Sequence, residues 1–75
     1  MSDSQALIDK RKLRMKRIRA SLTQSGLARL AELHPSYIRL LELGDRGGSP
    51  ETLNVLARVL GCDITDLMPD EELAA

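Results

Sequence analysis

The residues that most restrict what this chain can fold into lie between Leu22 and Gly44. Thr23 is a good N-cap, and Leu27, Leu30 and Ala31 follow it at helical spacing, which predicts a helix over about 24–31. A connection of residues 32–34 leads to Pro35, whose missing N–H costs nothing at the first helical position, and Gly44 stands where a helix over 35–43 would close. Two helices this short are unstable alone. Their tight connection forces them to pack on each other and on a common core.

The flanking sequence supplies the rest of that core. A first helix is expected over about 6–20, with Asp3 or Ser4 near its start and Leu7, Ile8, Met15 and Ile18 among its apolar positions. After a loop, Asp45-Arg46-Gly47-Gly48, Ser49 caps and Pro50 opens a fourth helix. Its apolar stripe is Leu53, Leu56, Ala57 and Leu60, and Gly61 ends it. Asp63 caps a short fifth helix through Leu67 or Met68, which Pro69 stops. With no Phe or Trp and a single Tyr, the core must be aliphatic, which suits close-packed short helices. The expected organisation is all-α: a flexible N-terminus (1–5), one five-helix domain (6–69) and an acidic flexible tail (70–75).

Several function classes are disfavoured. The apolar runs are far too short to span a membrane, and the N-terminus lacks a signal peptide's apolar block. Cys62 is alone, so an internal disulfide is impossible and a reducing cytoplasm is the expected location. His34 is the only histidine and has no metal-ligand companions. Asp63 and Asp66 read as a cap and a first-turn acid. Gly44 to Ser49 is glycine-rich but lacks the Lys-Ser/Thr ending of a phosphate-binding loop. No catalytic residues, cofactor, metal or small-molecule ligand are expected, so an enzyme is not.

Charge is more telling. The formal net charge is zero, yet residues 1–46 carry ten of the eleven Lys and Arg against five acids, a net of +5. Residues 47–75 carry only Arg58 against six acids, a net of −5. Such polarity can present a cationic face to phosphates.

Taken in order, Leu22-Thr23-Gln24, Leu27-Ala28, Pro35-Ser36-Tyr37-Ile38, Glu42, Gly44, Leu53, Leu56-Ala57 and Leu60-Gly61 resemble the Cro/cI-type (Xre-like) helix-turn-helix regulators, over roughly Leu13 to Met68. The resemblance implies a lambda-repressor-like DNA-binding domain with its helix-turn-helix at helices two and three. It also marks departures. Glu32 stands where the family usually has a glycine at positive φ, and His34 where it prefers Ser or Thr as a cap. Leu43 replaces a frequent basic residue, and Gly48 a loop proline.

Periodicity splits the third helix. His34, Tyr37, Ile38 and Leu41 form the face expected inward, and Ser36, Arg39, Leu40 and Leu43 the face expected toward a major groove. Arg39 can donate two hydrogen bonds to guanine, Ser36 can reach a base edge, and Leu40 can touch a thymine methyl. The resemblance implies that Gln24 and Arg46 hold the DNA backbone, and that Arg17 and Glu42 form a structural ion pair. Tyr37, Arg14 and Arg19 are further candidates for phosphates. Val55, Val59, Ile64 and Met68 are candidates for a homodimer interface, since one small domain makes too few base contacts to find a site alone. The expected function is a sequence-specific regulator of double-stranded DNA, a repressor acting as a dimer on an inverted repeat. RNA polymerase or a toxin-like protein is a possible further partner. The alternative is a protein-interaction module, such as an antitoxin or adaptor.

Overall fold

The computed structural model describes residues 6–70. It contains four α-helices, α1 (Lys10–Arg19), α2 (Gln24–Ala31), α3 (Pro35–Leu43) and α4 (Pro50–Leu60), and then a single 3₁₀ turn, Ile64–Leu67. The expected fifth α-helix is thus one 3₁₀ turn: Met68 is extended, and Pro69 bars another turn. There is no strand among the described residues, and none of the helices is long and apolar enough to cross a membrane.

The first helix differs from expectation. It starts at Lys10, where the Asp9 carboxylate accepts from the N–H groups of Arg11 and Lys12 at 2.8 and 3.0 Å. Asp9 takes the capping role expected of Asp3 or Ser4, and those residues lie outside the described region, as does the tail beyond Asp70. Ala6 to Asp9 instead lie across the core. Ile8 N–H donates to the Gly47 carbonyl at 2.9 Å and Asp9 N–H to the Leu67 carbonyl at 2.7 Å. Ile8 is buried from this non-helical segment, whereas Met15 and Ile18, expected in the core, are each 50% exposed. Only Leu13 of α1 is fully buried.

Leu13, Leu27, Ile38, Leu41, Leu56 and Leu67 form the centre of the core, with Ala28, Ala31 and Ala57 where backbones approach closely. Leu30 points outward at 58% exposure, so the inner face of α2 is Leu27, Ala28 and Ala31. Gly48 belongs to this packing. Its φ is +85°, and a Cβ there would stand 2.6 Å from Ile8 Cδ1. Both counts favour glycine here.

All four α-helices stop in one way. A residue at positive φ follows the helix: Ser21 (60°), Glu32 (57°), Gly44 (88°) and Gly61 (69°). The next N–H then reaches back five residues: Leu22 to Arg17, Leu33 to Ala28, Asp45 to Leu40 and Cys62 to Ala57, at 2.8–3.1 Å. This is the Schellman arrangement. Leu22, Leu33 and Cys62 thereby fold back onto the core.

An ion pair ties α3 to α1. Arg17 Nε and Nη2 donate to Glu42 Oε2 and Oε1 at 2.6 and 3.0 Å, and Arg17 Nη1 donates to the Leu22 carbonyl at 2.8 Å. One guanidinium thus ties α1, the α1–α2 connection and α3 together, with the side chains of Arg17 and Glu42 only 13% and 5% exposed. The Glu42 hydrogen bonds hold the Arg17 guanidinium protonated above its ordinary range, against the opposing effect of burial. The other ion pair, Lys12–Asp70 at 2.5 Å, is open to solvent and contributes little.

Two stability effects follow. Glu32→Gly relieves the left-handed strain and should raise stability by about 1 kcal/mol in urea unfolding. Glu42→Ala strands a buried guanidinium and should cost roughly 2–4 kcal/mol. An unchanged thermal midpoint by circular dichroism in the alanine variant would overturn the tie assigned to Arg17 and Glu42.

Candidate nucleic-acid interface

The outer surface of α3 carries Ser36, Arg39 and Leu43 exposed and Leu40 half-buried. Ile38 and Leu41 are buried beneath it, so the expected division of the helix holds at its centre. His34 departs from it. The ring is exposed and serves as the N-cap, with Nδ1 accepting from Ser36 N–H at 3.1 Å and lying 2.5 Å from Ser36 Oγ. An imidazole with its Nδ1 lone pair free does the work of a Ser or Thr oxygen.

Beside this surface runs a shallow groove of about 210 Å³, lined by Arg14, Arg17, Gln24, Arg39, Glu42 and Leu43. It brings together two cations from α1, of which Arg17 is paired with Glu42, the first residue of α2 and the arginine of α3. Arg14 and Arg39 are exposed, and neither has an acidic partner among the described residues. The positive end of the α2 dipole opens beside it, because Thr23 satisfies only the Gly26 N–H, at 2.9 Å. Gln24 is half-buried, and its Nε2 donates to Glu42 Oε1 at 3.1 Å. Periodicity gave no hint of this link, since the residues lie on different helices, 18 positions apart.

The remaining candidates are more dispersed. Arg46 is exposed in the loop after α3, and Arg19 is exposed at the end of α1, outside the groove lining. The Tyr37 ring packs against the core with its hydroxyl 3.4 Å from Thr52 Oγ1, which also accepts from Ser49 Oγ at 3.1 Å. Tyr37 thus links α3 to the start of α4. Val55, Val59 and Met68 are half-buried against the core, and Ile64 is 40% exposed.

No metal-binding cluster occurs among the described residues. Burial, aided by Asp66 and Asp63 and opposed by Lys16, pushes the Cys62 thiol up and away from the reactive thiolate form. What the groove and α3 offer is hydrogen-bond donors and positive charge on a surface one helix wide, dimensions that a major groove admits.

Comparison with known proteins bears on the family and the fold. A family model described as a helix-turn-helix domain matches residues 11–69. The chain is similar to the restriction-modification controller protein C.AhdI from Aeromonas hydrophila, at 32% identity over 79% of this chain and 89% of that one, with a TM-score of 0.76. It is also similar to the clp gene regulator ClgR from C. glutamicum, at 30% identity over 76% and 74% of the two chains, with a TM-score of 0.71. The hypothetical transcription factor NHTF from Neisseria shares the fold, at 20% identity over 91% and 87% and a TM-score of 0.74. No curated protein matches the chain. The chain belongs to the helix-turn-helix domain family and has the fold of its DNA-binding transcription regulators.

Proposed function

We propose that this protein is a sequence-specific transcriptional repressor that binds an inverted repeat in double-stranded DNA as a homodimer. The observation that carries the reading is the convergence of Arg14, Gln24 and Arg39 from three helices on one groove beside the exposed face of α3. In this reading α3 enters the major groove. Arg39 pairs with guanine O6 and N7, Ser36 and Leu40 contact neighbouring base edges, and Gln24, Tyr37, Arg14, Arg19 and Arg46 hold phosphates. The similarity to a restriction-modification controller protein supports a small regulator. Repression then works by occlusion: a dimer covering a promoter blocks polymerase.

The dimer is assigned to Val55, Val59, Ile64 and Met68, and a two-fold dimer on an inverted repeat needs its recognition helices one DNA turn, about 34–36 Å, apart. Exposed Leu43, on the same face as Arg39, favours a second reading in which α3 docks a partner protein, as an antitoxin or adaptor would.

Selection from a randomised duplex pool at near-physiological salt separates the two. Wild type should enrich an inverted repeat, and Arg39→Ala should relax it at defined positions, with roughly 1–3 kcal/mol lost per contact. No enrichment from folded protein would move the function to a protein partner. For the dimer, sedimentation at micromolar concentration should show a two-fold species that Val59→Asp and Met68→Asp dissociate. Dimers that survive both substitutions would remove this interface.

A further inference from the structure

We infer that Glu42, besides pairing with Arg17, is a positioning residue that fixes the Gln24 carboxamide in the orientation a DNA phosphate requires. This rests on the reading of Gln24 as a backbone contact and adds to it the means by which that contact is prepared.

The geometry is specific. Glu42 Oε2 accepts from Arg17 Nε at 2.6 Å, while Oε1 accepts both from Arg17 Nη2 at 3.0 Å and from Gln24 Nε2 at 3.1 Å. An ionised carboxylate only accepts, so the end of the Gln24 amide that faces it must be the NH₂. One amide hydrogen is committed to Glu42. The second stays available at the head of α2, where free backbone N–H groups and the helix dipole already favour an anion.

A glutamine at an open helix start normally samples many rotamers and loses that freedom when it binds. Here the loss is already met in the free protein. The arrangement also explains how an acid is tolerated beside a phosphate site. The two hydrogen bonds from Arg17 neutralise the Glu42 carboxylate, leaving its acceptor function without its repulsion. Arg17 therefore enables the contact without touching DNA.

The experiment must remove the anchor without removing the fold. Replacing a buried ion pair by apolar side chains of similar length is often neutral for stability, so the combined variant Arg17→Met/Glu42→Met is made in wild-type and Gln24→Ala backgrounds. The probe is the duplex enriched by wild-type protein in the selection above. If wild type enriches no duplex, the reading of the protein as a DNA binder fails, and the inference about Glu42 falls with it. Given such a duplex, Gln24→Ala should weaken binding roughly tenfold, as for one charge-assisted hydrogen bond. The double methionine variant should weaken it by a similar factor and have no further effect once Gln24 is alanine. Phosphate-ethylation interference should then lose one contact per half-site and keep the others. Independent additive losses, or a uniform weakening at every phosphate, would show a purely structural role and overturn the inference.

If the methionine variant does not fold, the wild-type protein still decides. Side-chain ¹⁵N relaxation of Gln24 without DNA should give an order parameter near the rigid-backbone value of about 0.85, and a value below about 0.6 would overturn the proposal.

Discussion

The carboxylate of Glu42 is the point on which the rest of this structure turns. It takes two hydrogen bonds from Arg17 on α1 and one from Gln24 on α2, and it sits on α3. The hydrophobic effect that drives burial in a domain of this size is non-directional, so it does not by itself select the rotation of each helix. Directional hydrogen bonds to a planar guanidinium do resist rotation. The aliphatic core makes the domain stable, and the Arg17–Glu42–Gln24 network adds a directional tie among α1, α2 and α3. A recognition surface needs the second property as much as the first, since contacts to base edges tolerate only small errors of placement.

Helix ends show what was legible in the sequence. Thr23, Pro35, Ser49-Pro50, Gly44 and Gly61 each mark a boundary that the structure places within a residue, because each acts through its own backbone or a short side chain. Ser21 shows the limit. It occupies the left-handed region at φ 60° as Glu32 does at 57°, yet nothing in its type announces it. What holds both there is the residue that follows: Leu22 and Leu33 gain a backbone hydrogen bond and a place against the core. Packing outweighs a strain of about 1 kcal/mol. A rule based on residue type finds the glycine ends, whereas the others need knowledge of the tertiary contact.

The first helix was legible only in part for a related reason. Its ten residues include seven cations, so its few apolar side chains do not define a face. Met15 and Ile18 have helical spacing, but that spacing lies on the solvent side, because Arg17 must turn inward to meet Glu42. Polar requirements rotated the helix, and Ile8 from the preceding extended segment fills the space that a helical apolar stripe would have occupied. The candidate site was legible as a set of exposed residues on α3. The coupling of Gln24 to Glu42 was not, because one-dimensional spacing carries no information about which side chains of different helices meet.

Formal neutrality is no obstacle to binding a polyanion, and the dimensions of the molecule say why. Its extents are 40 × 23 × 19 Å, whereas charges at physiological salt are screened over about 8 Å. The 3₁₀ turn with Asp63 and Asp66 packs chiefly on α4 and α1, not on the groove side of α3. A phosphate in the groove is governed by what lies within a screening length, namely Arg14, Arg39, Gln24 and the start of α2, with the nearest acid already neutralised by Arg17. The distant acids act only at low ionic strength, where they weaken the overall attraction without altering the local one. In the proposed complex, the charge that governs binding is therefore that of a patch and not of the chain. Glu42 belongs to that patch without repelling a phosphate because Arg17 pairs with it there.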